Sequence, residues 1–239
     1  MVIMMKISNE QIGFWFAPED IDKAKIDPKT WHFFVRNKEA EFIFSVFGKH
    51  KFKSGLELGA GNGAQSVTIA KHCAKLICTE LDKDKLKPRN IPNVKYLICD
   101  AEDLSRFSNH RFDLIFSSNM IEHLNNPINC LKECKRVLAK DGIIIVTVPN
   151  RTWKVFSFFL SFLRPRIPRV HGTSSNHITE FISFNPKNWE NKFKEADLKI
   201  SKRINLPFYV GHSNRFIPLL KFGNKIHLSA SKCFILASD

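Results

Sequence analysis

The 239-residue sequence has no CxxC pair, no internal repeat, no low-complexity tract and no apolar run approaching a membrane span. Its six cysteines (Cys73, Cys78, Cys99, Cys130, Cys134, Cys233) lack disulfide-scaffold spacing. Most of them fall among apolar residues, where a thiol behaves as a small hydrophobe. No stretch reaches the ~20 apolar residues of a spanning helix. Met1–Lys6 is too short, and lacks a small-residue cleavage site, for a signal peptide. A reducing cytoplasm is the expected compartment. Acid is scarce toward the carboxyl half: none occurs from 151 to 179.

What is present is an ordinary globular composition, 44% hydrophobic and 25% charged, long enough for one large domain. The net charge of +14 is unevenly placed. Residues 1–150 hold 22 basic and 18 acidic side chains, whereas 151–239 hold 15 and 5. The first part reads as a balanced core; the second meets something negative or a membrane surface.

Trp31, Phe34, Val35, Phe42, Ile43, Val46 and Phe47 recur at threes and fours, predicting a helix over 28–50 with Pro28 in its first turn and Gly48 as its stop. From Ser54 the pattern changes to short apolar runs alternating with helices. Leu56–Leu58, Lys75–Thr79, Val94–Cys99, Leu114–Ser117 and Ile143–Val148 read as strands; Ala64–Cys73 and Ile128–Leu138 read as helices. This alternation predicts an α/β fold with a parallel sheet covered on both faces. Asp141-Gly142 is expected to turn the chain from helix to strand. After Pro149 the pattern breaks for roughly 35 residues. It resumes with a helix at Pro186–Ala196 and strands at Leu198–Leu206 and Ser229–Ala237. The expected organisation is a helical arm or lid over 1–53, then a domain over 54–239 with an insertion at 150–185.

Leu56-Glu57-Leu58-Gly59-Ala60-Gly61-Asn62-Gly63 joins the first strand to a helix. Glycine there lets the backbone turn sharply and a ligand approach closely. Alone the loop is ambiguous, because Gly59, Gly61 and Ala64 also satisfy a dinucleotide pattern. Glu80, ending the second strand, would accept ribose hydroxyls in either an NAD or another nucleoside site.

Glu57, the run Asp100-Ala101-Glu102-Asp103-Leu104, and Phe112-Asp113-Leu114-Ile115-Phe116-Ser117-Ser118-Asn119-Met120-Ile121-Glu122-His123-Leu124 break the tie. Together with Leu131–Ala139 leading into Asp141-Gly142, they resemble class I S-adenosylmethionine-dependent methyltransferases over roughly 54–150. The resemblance implies a Rossmann-like seven-stranded sheet, last strand antiparallel, with the cofactor across the carboxyl ends of the strands. It implies that Glu57, Gly59, Ala60, Gly61 and Gly63 cradle the methionine part of S-adenosylmethionine. Glu80 would take the ribose hydroxyls, with Asp82 as the other candidate. Asp100, Ala101 and Glu102 would receive the adenine, and Leu81 and Leu104 either sandwich the ring or belong to the core. Ser117 and Ser118 open the stretch to His123 that would border the methyl group. A nicotinamide dehydrogenase, the alternative, leaves the Asp100–Asp103 run unexplained.

The acceptor is less constrained. No Asn-Pro-Pro-aromatic run and no Pro-Cys dipeptide occur, which disfavours nucleic-acid base modification by those routes. Basic charge alone keeps RNA as an alternative. A non-catalytic cofactor-binding partner is another alternative, opposed by the intact site residues. His123 is the candidate general base. Glu122-His123 also resembles a pair that helps hold a divalent metal in ubiquinone-biosynthesis O-methyltransferases, but no third ligand is identifiable, and a structural role for His123 competes. Trp153–Arg164 reads as a helix with a polar stripe of Lys154, Ser157, Ser161 and Arg164, flanked by Arg151, Arg166 and Arg169. Such a helix suits an anionic membrane surface through 153–169; a lid, with Phe14-Trp15-Phe16, or a dimer seam suits it equally. The expected acceptor is a small, lipid-linked or envelope-glycan molecule methylated on oxygen.

Overall fold

The computed structural model of the chain describes residues 28–152, 154–155, 176–206, 229 and 231–238. The expectations for Phe14-Trp15-Phe16, Trp153, 156–164, Arg166 and Arg169 lie outside those residues.

The chain runs α1 (Pro28–Ser45), β1 (Phe52–Leu58), α2 (Ser66–Lys71), β2 (Cys73–Glu80), β3 (Val94–Ile98), β4 (Phe112–Ser118), α3 (Pro127–Val137), β5 (Leu138–Pro149), α4 (His177–Ser183), α5 (Pro186–Glu195), β6 (Leu198–Asn205) and β7 (Ser231–Ser238). The seven strands form one sheet in the order β3-β2-β1-β4-β5-β7-β6. The first five are parallel, and β7 is antiparallel to both β5 and β6.

Strand periodicity explains the layering, because successive side chains leave opposite faces. Ile143 and Ile145 pack with Leu114, Phe116, Cys233 and Ile235 under Ile43 and Phe44 of α1, Phe47 in the turn after it, and Ile69 of α2. Ile144 and Val146 pack with Leu56, Ile115 and Phe234 under Leu131 and Cys134 of α3 and Trp189 and Phe193 of α5. Both faces are therefore apolar, and the strands read as near-continuous hydrophobic runs. Phe44, Phe52, Phe112, Phe116, Phe184, Phe193 and Phe234 are fully buried, each stabilising the fold by roughly 1.5–3 kcal/mol.

All six cysteines are buried free thiols, and burial pushes the Cys73 thiol up to about 12. They act as core hydrophobes rather than nucleophiles. α1 ends at Ser45, short of the expected residue 50, and the chain then turns through Gly48 at φ +58.

Two expectations need correction. Asp141-Gly142 is not a turn ahead of the strand: β5 begins at Leu138, which pairs with Phe112, and the register shifts before Leu114 meets Ile143. The β4–β5 pairing absorbs the two residues in a bulge-like irregularity. The patternless stretch after Pro149 also holds a helix, α4. Asn176 caps it, accepting from the Ile178 and Thr179 N–H groups while the Thr179 hydroxyl accepts from the Asn176 N–H. That reciprocal cap was readable as Asn-x-x-Thr, but α4 has only seven residues and no sustained period.

Candidate functional site

β1 lies between β2 and β4, the point at which the strand order reverses, and ligands of open α/β sheets bind outside the carboxyl ends at such a point. There Leu58 pairs with Ser117, and Glu80 with Ile98. The loops after β1, β2, β3 and β4 thus converge on one edge.

The loop after β1 carries Gly59, Gly61 and Gly63 at φ +69, +52 and +69. A Cβ on Gly59 would meet Cγ of Met120 at 2.4 Å; one on Gly61 would meet nothing within 4 Å. Gly59 is therefore glycine for close packing, whereas Gly61 fronts open space. The loop is stitched down by Ala60 N–H to Thr79 O (2.9 Å) and Lys87 N–H to Gly61 O (3.0 Å). Arg89 Nε–H reaches Asn62 O at 3.2 Å.

Glu80 closes β2 half-buried. Its Oε2 accepts from Gly61 N–H (3.0 Å), and its Oε1 from Leu81 N–H (3.0 Å) and Asp82 N–H (3.3 Å). Asp82 turns the other way, accepting from Asp84 N–H (2.9 Å), a bond that holds its carboxyl below the usual range. Leu81 is 63% exposed, an apolar side chain standing open beside Glu80. Leu104 is fully buried in the core, which decides its role.

Asp100, after β3, accepts from Glu102 N–H at 2.8 Å. Ala101 is buried. Glu102 turns toward α3: its Oε1 accepts from Asn126 N–H (3.0 Å) and its carbonyl from Asn129 Nδ2 (2.6 Å). Its side chain ties the loop to the helix start. Glu57 is buried beneath the glycine loop and accepts from Ser66 Oγ at 2.5 Å. Burial pushes its carboxyl up, against the hydrogen bonds from Ser66 and Cys78. Glu57 thus faces the start of α2 rather than the open edge.

After β4, Ser117 Oγ is buried with no hydrogen-bond partner among the described residues, and Ser118 Oγ lies 2.9 Å from Thr147 Oγ1. A 3-10 turn, Ile121–His123, follows. His123 is exposed, with Nε2 3.9 Å from Oε1 of the buried Glu122. Among the described residues, no group of three His, Cys, Asp or Glu could hold a metal ion. Sequence reasoning did not single out Thr147 and Ser231, and took Asn119 only as part of the stretch from Ser117 to His123. They meet only because β4, β5 and β7 are neighbours, and the one local sign was an asparagine where φ reaches +46.

In the insertion, Lys154 and Glu180 form a buried ion pair, with His177 Nδ1 3.5 Å from the same carboxylate. Lys154 therefore does not stand on an exposed polar stripe. Ile178, Phe181 and Ile182 of α4 are exposed. No helix among the described residues is long and apolar enough to cross a membrane.

The sheet order and the loops at its carboxyl ends give the chain the fold of class I S-adenosylmethionine-dependent methyltransferases. Residues 56–146 match the family model of the methyltransferase domain. The chain is similar to a ubiquinone biosynthesis O-methyltransferase of Pelagibacter ubique, 23% identical over 158 residues covering 63% of this chain and 60% of the relative. A protein of the same name from Coxiella burnetii is 27% identical over 131 residues, 52% of this chain and 53% of the relative. The chain spans about half the length of the curated relatives it matches. Among solved structures, an S-adenosylmethionine-dependent methyltransferase from Aquifex aeolicus aligns with a TM-score of 0.56 at 14% identity, over 92% of this chain and 98% of the other, a likeness of fold.

The cofactor of this class is S-adenosylmethionine, and the residues here fit it. Gly61 fronts a space that any side chain would fill, Glu80 brings a carboxylate to that space, and Leu81 offers an apolar surface for a ring.

Proposed function

We propose that the protein is a methyltransferase that moves a methyl group from S-adenosylmethionine to an oxygen of a small or lipid-linked acceptor. One observation carries the reading: Glu80 and the Gly61 N–H meet at the edge of an open cradle, next to the β4 loop that ends at His123. Glu80 would hold the ribose, Asp100 and Ala101 the adenine, and Gly59–Gly63 the methionine part. S-adenosylmethionine held there would supply an electrophilic methyl on a sulfonium, whose S–C bond would break with its electron pair left on sulfur as the acceptor oxygen takes the methyl. The chain's own work is alignment of the acceptor and removal of its proton. His123 is the proposed base, taking the proton at a ring nitrogen, with Glu122 placed to offset the charge that forms.

The names of the curated relatives support an oxygen acceptor on a lipid-linked molecule. The excess of basic residues after 150 and the exposed Ile178, Phe181 and Ile182 support delivery from an anionic membrane surface. Flotation with anionic and neutral vesicles tests that part, with binding to anionic vesicles alone expected. Transfer of labelled methyl to phenolic and lipid-extract acceptors tests the reaction. His123→Ala should suppress turnover at least 100-fold while leaving cofactor affinity within about twofold. Equal loss of turnover and binding would assign His123 a structural role.

A further inference from the structure

Three strands contribute to a hydrogen-bonded group at the carboxyl edge of the sheet. Asn119, at φ +46, directs its backbone N–H to Thr147 O (2.9 Å) and Thr147 Oγ1 (3.2 Å), and its Nδ2 to the same hydroxyl (3.3 Å). Its Oδ1 accepts from Ser231 Oγ at 3.2 Å. Thr147 is fully buried, and its Oγ1 lies 2.9 Å from Ser118 Oγ.

The directions of these bonds follow from valence. A hydroxyl has one proton and two lone pairs, and an amide N–H only donates. Asn119 Nδ2 and the Asn119 backbone N–H, the latter shared with Thr147 O, are directed at Thr147 Oγ1, an arrangement in which the Thr147 proton goes to Ser118 Oγ. Ser118 thereby becomes an acceptor toward Thr147, and its own proton is left to point away from β5. Ser118 is half-buried at the end of β4, and Met120, two residues on, lies against Gly59 of the glycine loop.

We infer that Ser118 is an oriented hydrogen-bond donor to the acceptor's reacting oxygen, and that Thr147 and Asn119 are the positioning residues that fix its direction. This rests on the methyltransferase reading and narrows it. A donor at the nucleophile stabilises an oxyanion and does nothing for the lone pair of a neutral amine, so the site selects hydroxyl acceptors ionised in place, phenols above all. The acceptor's proton leaves to His123 or water; Ser118 keeps its own.

The test needs no knowledge of the natural acceptor. Protein saturated with S-adenosylhomocysteine is titrated with the chromogenic phenol 4-nitrophenol, and the bound probe's ionisation is read by absorbance. The expected result is a pKa about one unit lower for the bound than the free probe. Ser118→Ala and Thr147→Val should abolish that shift, and Thr147→Ser should restore it, each at saturating S-adenosylhomocysteine with thermal melting as the check on folding. An unshifted probe on the unaltered protein overturns the inference, as does the same shift in Ser118→Ala. Failure of S-adenosylhomocysteine to bind at all is a separate result, one that overturns the methyltransferase reading itself.

Discussion

Oε2 of Glu80 accepts the backbone N–H of Gly61 at 3.0 Å, so the acid that ends β2 also holds the turn that follows β1. The two elements are nineteen residues apart and neighbours in the sheet. One carboxylate therefore shapes the glycine loop and faces the space in front of it.

Glu80→Ala removes both roles. We expect S-adenosylhomocysteine binding to weaken by about 1.5–3 kcal/mol, the range for hydrogen bonds to a charged group. Glu80→Gln should recover part of that, since an amide oxygen still accepts from Gly61. Calorimetric titration checks both variants; unchanged affinity in Glu80→Ala would move the ribose role elsewhere.

Gly59 and Met120 make a separable pair. Gly59→Ala places a Cβ 2.4 Å from Met120 Cγ at a φ of +69. Clash and backbone strain together should cost about 2 kcal/mol of stability. In Gly59→Ala/Met120→Ala the 2.4 Å contact is gone, a tight 3.0 Å contact with the Cβ of residue 120 is left, and about 1 kcal/mol of strain should remain beyond the Met120→Ala effect. Urea denaturation of the three variants distinguishes the two contributions, and a double variant no better than additive would contradict the contact.

Glu57 sets a pH dependence. Burial raises its carboxyl above the ordinary 4.5 in the folded protein. Above that pH the unfolded chain has lost a proton that the folded chain keeps, so stability falls as pH rises toward the folded pKa. Glu57→Gln removes this titration. Its stability relative to the unaltered protein should therefore improve as pH increases from about 4.5, measured by denaturant midpoints across the range. Parallel profiles would contradict the buried assignment.

Much of this arrangement was legible in the residues. Runs such as Ile143–Val148 read as strand because both faces of the sheet are covered, and the Gly59–Gly63 loop declared itself through its glycines. Glu57 shows the limit: its place in the motif was visible, but its burial against Ser66 depends on where α2 begins. Lys154 is similar. A lysine among phenylalanines suits a headgroup-facing stripe until Glu180, 26 positions later, is found against it. The group formed by Ser118, Asn119, Thr147 and Ser231 has no sequence signature, since sheet order alone brings its members together.

Calorimetric titration of S-adenosylhomocysteine into the unaltered protein and into Gly61→Val tests the central claim most directly. No atom lies within 4 Å of a Cβ at Gly61, so the variant should fold, with a cost near 1–2 kcal/mol from its positive φ, while its side chain occupies the cradle. The account predicts saturable one-to-one binding to the unaltered protein and a loss of at least 100-fold in the folded variant, about 2.7 kcal/mol or more. Equal affinities in the two would place the cofactor away from the glycine loop, and no binding to the unaltered protein would contradict the methyltransferase assignment.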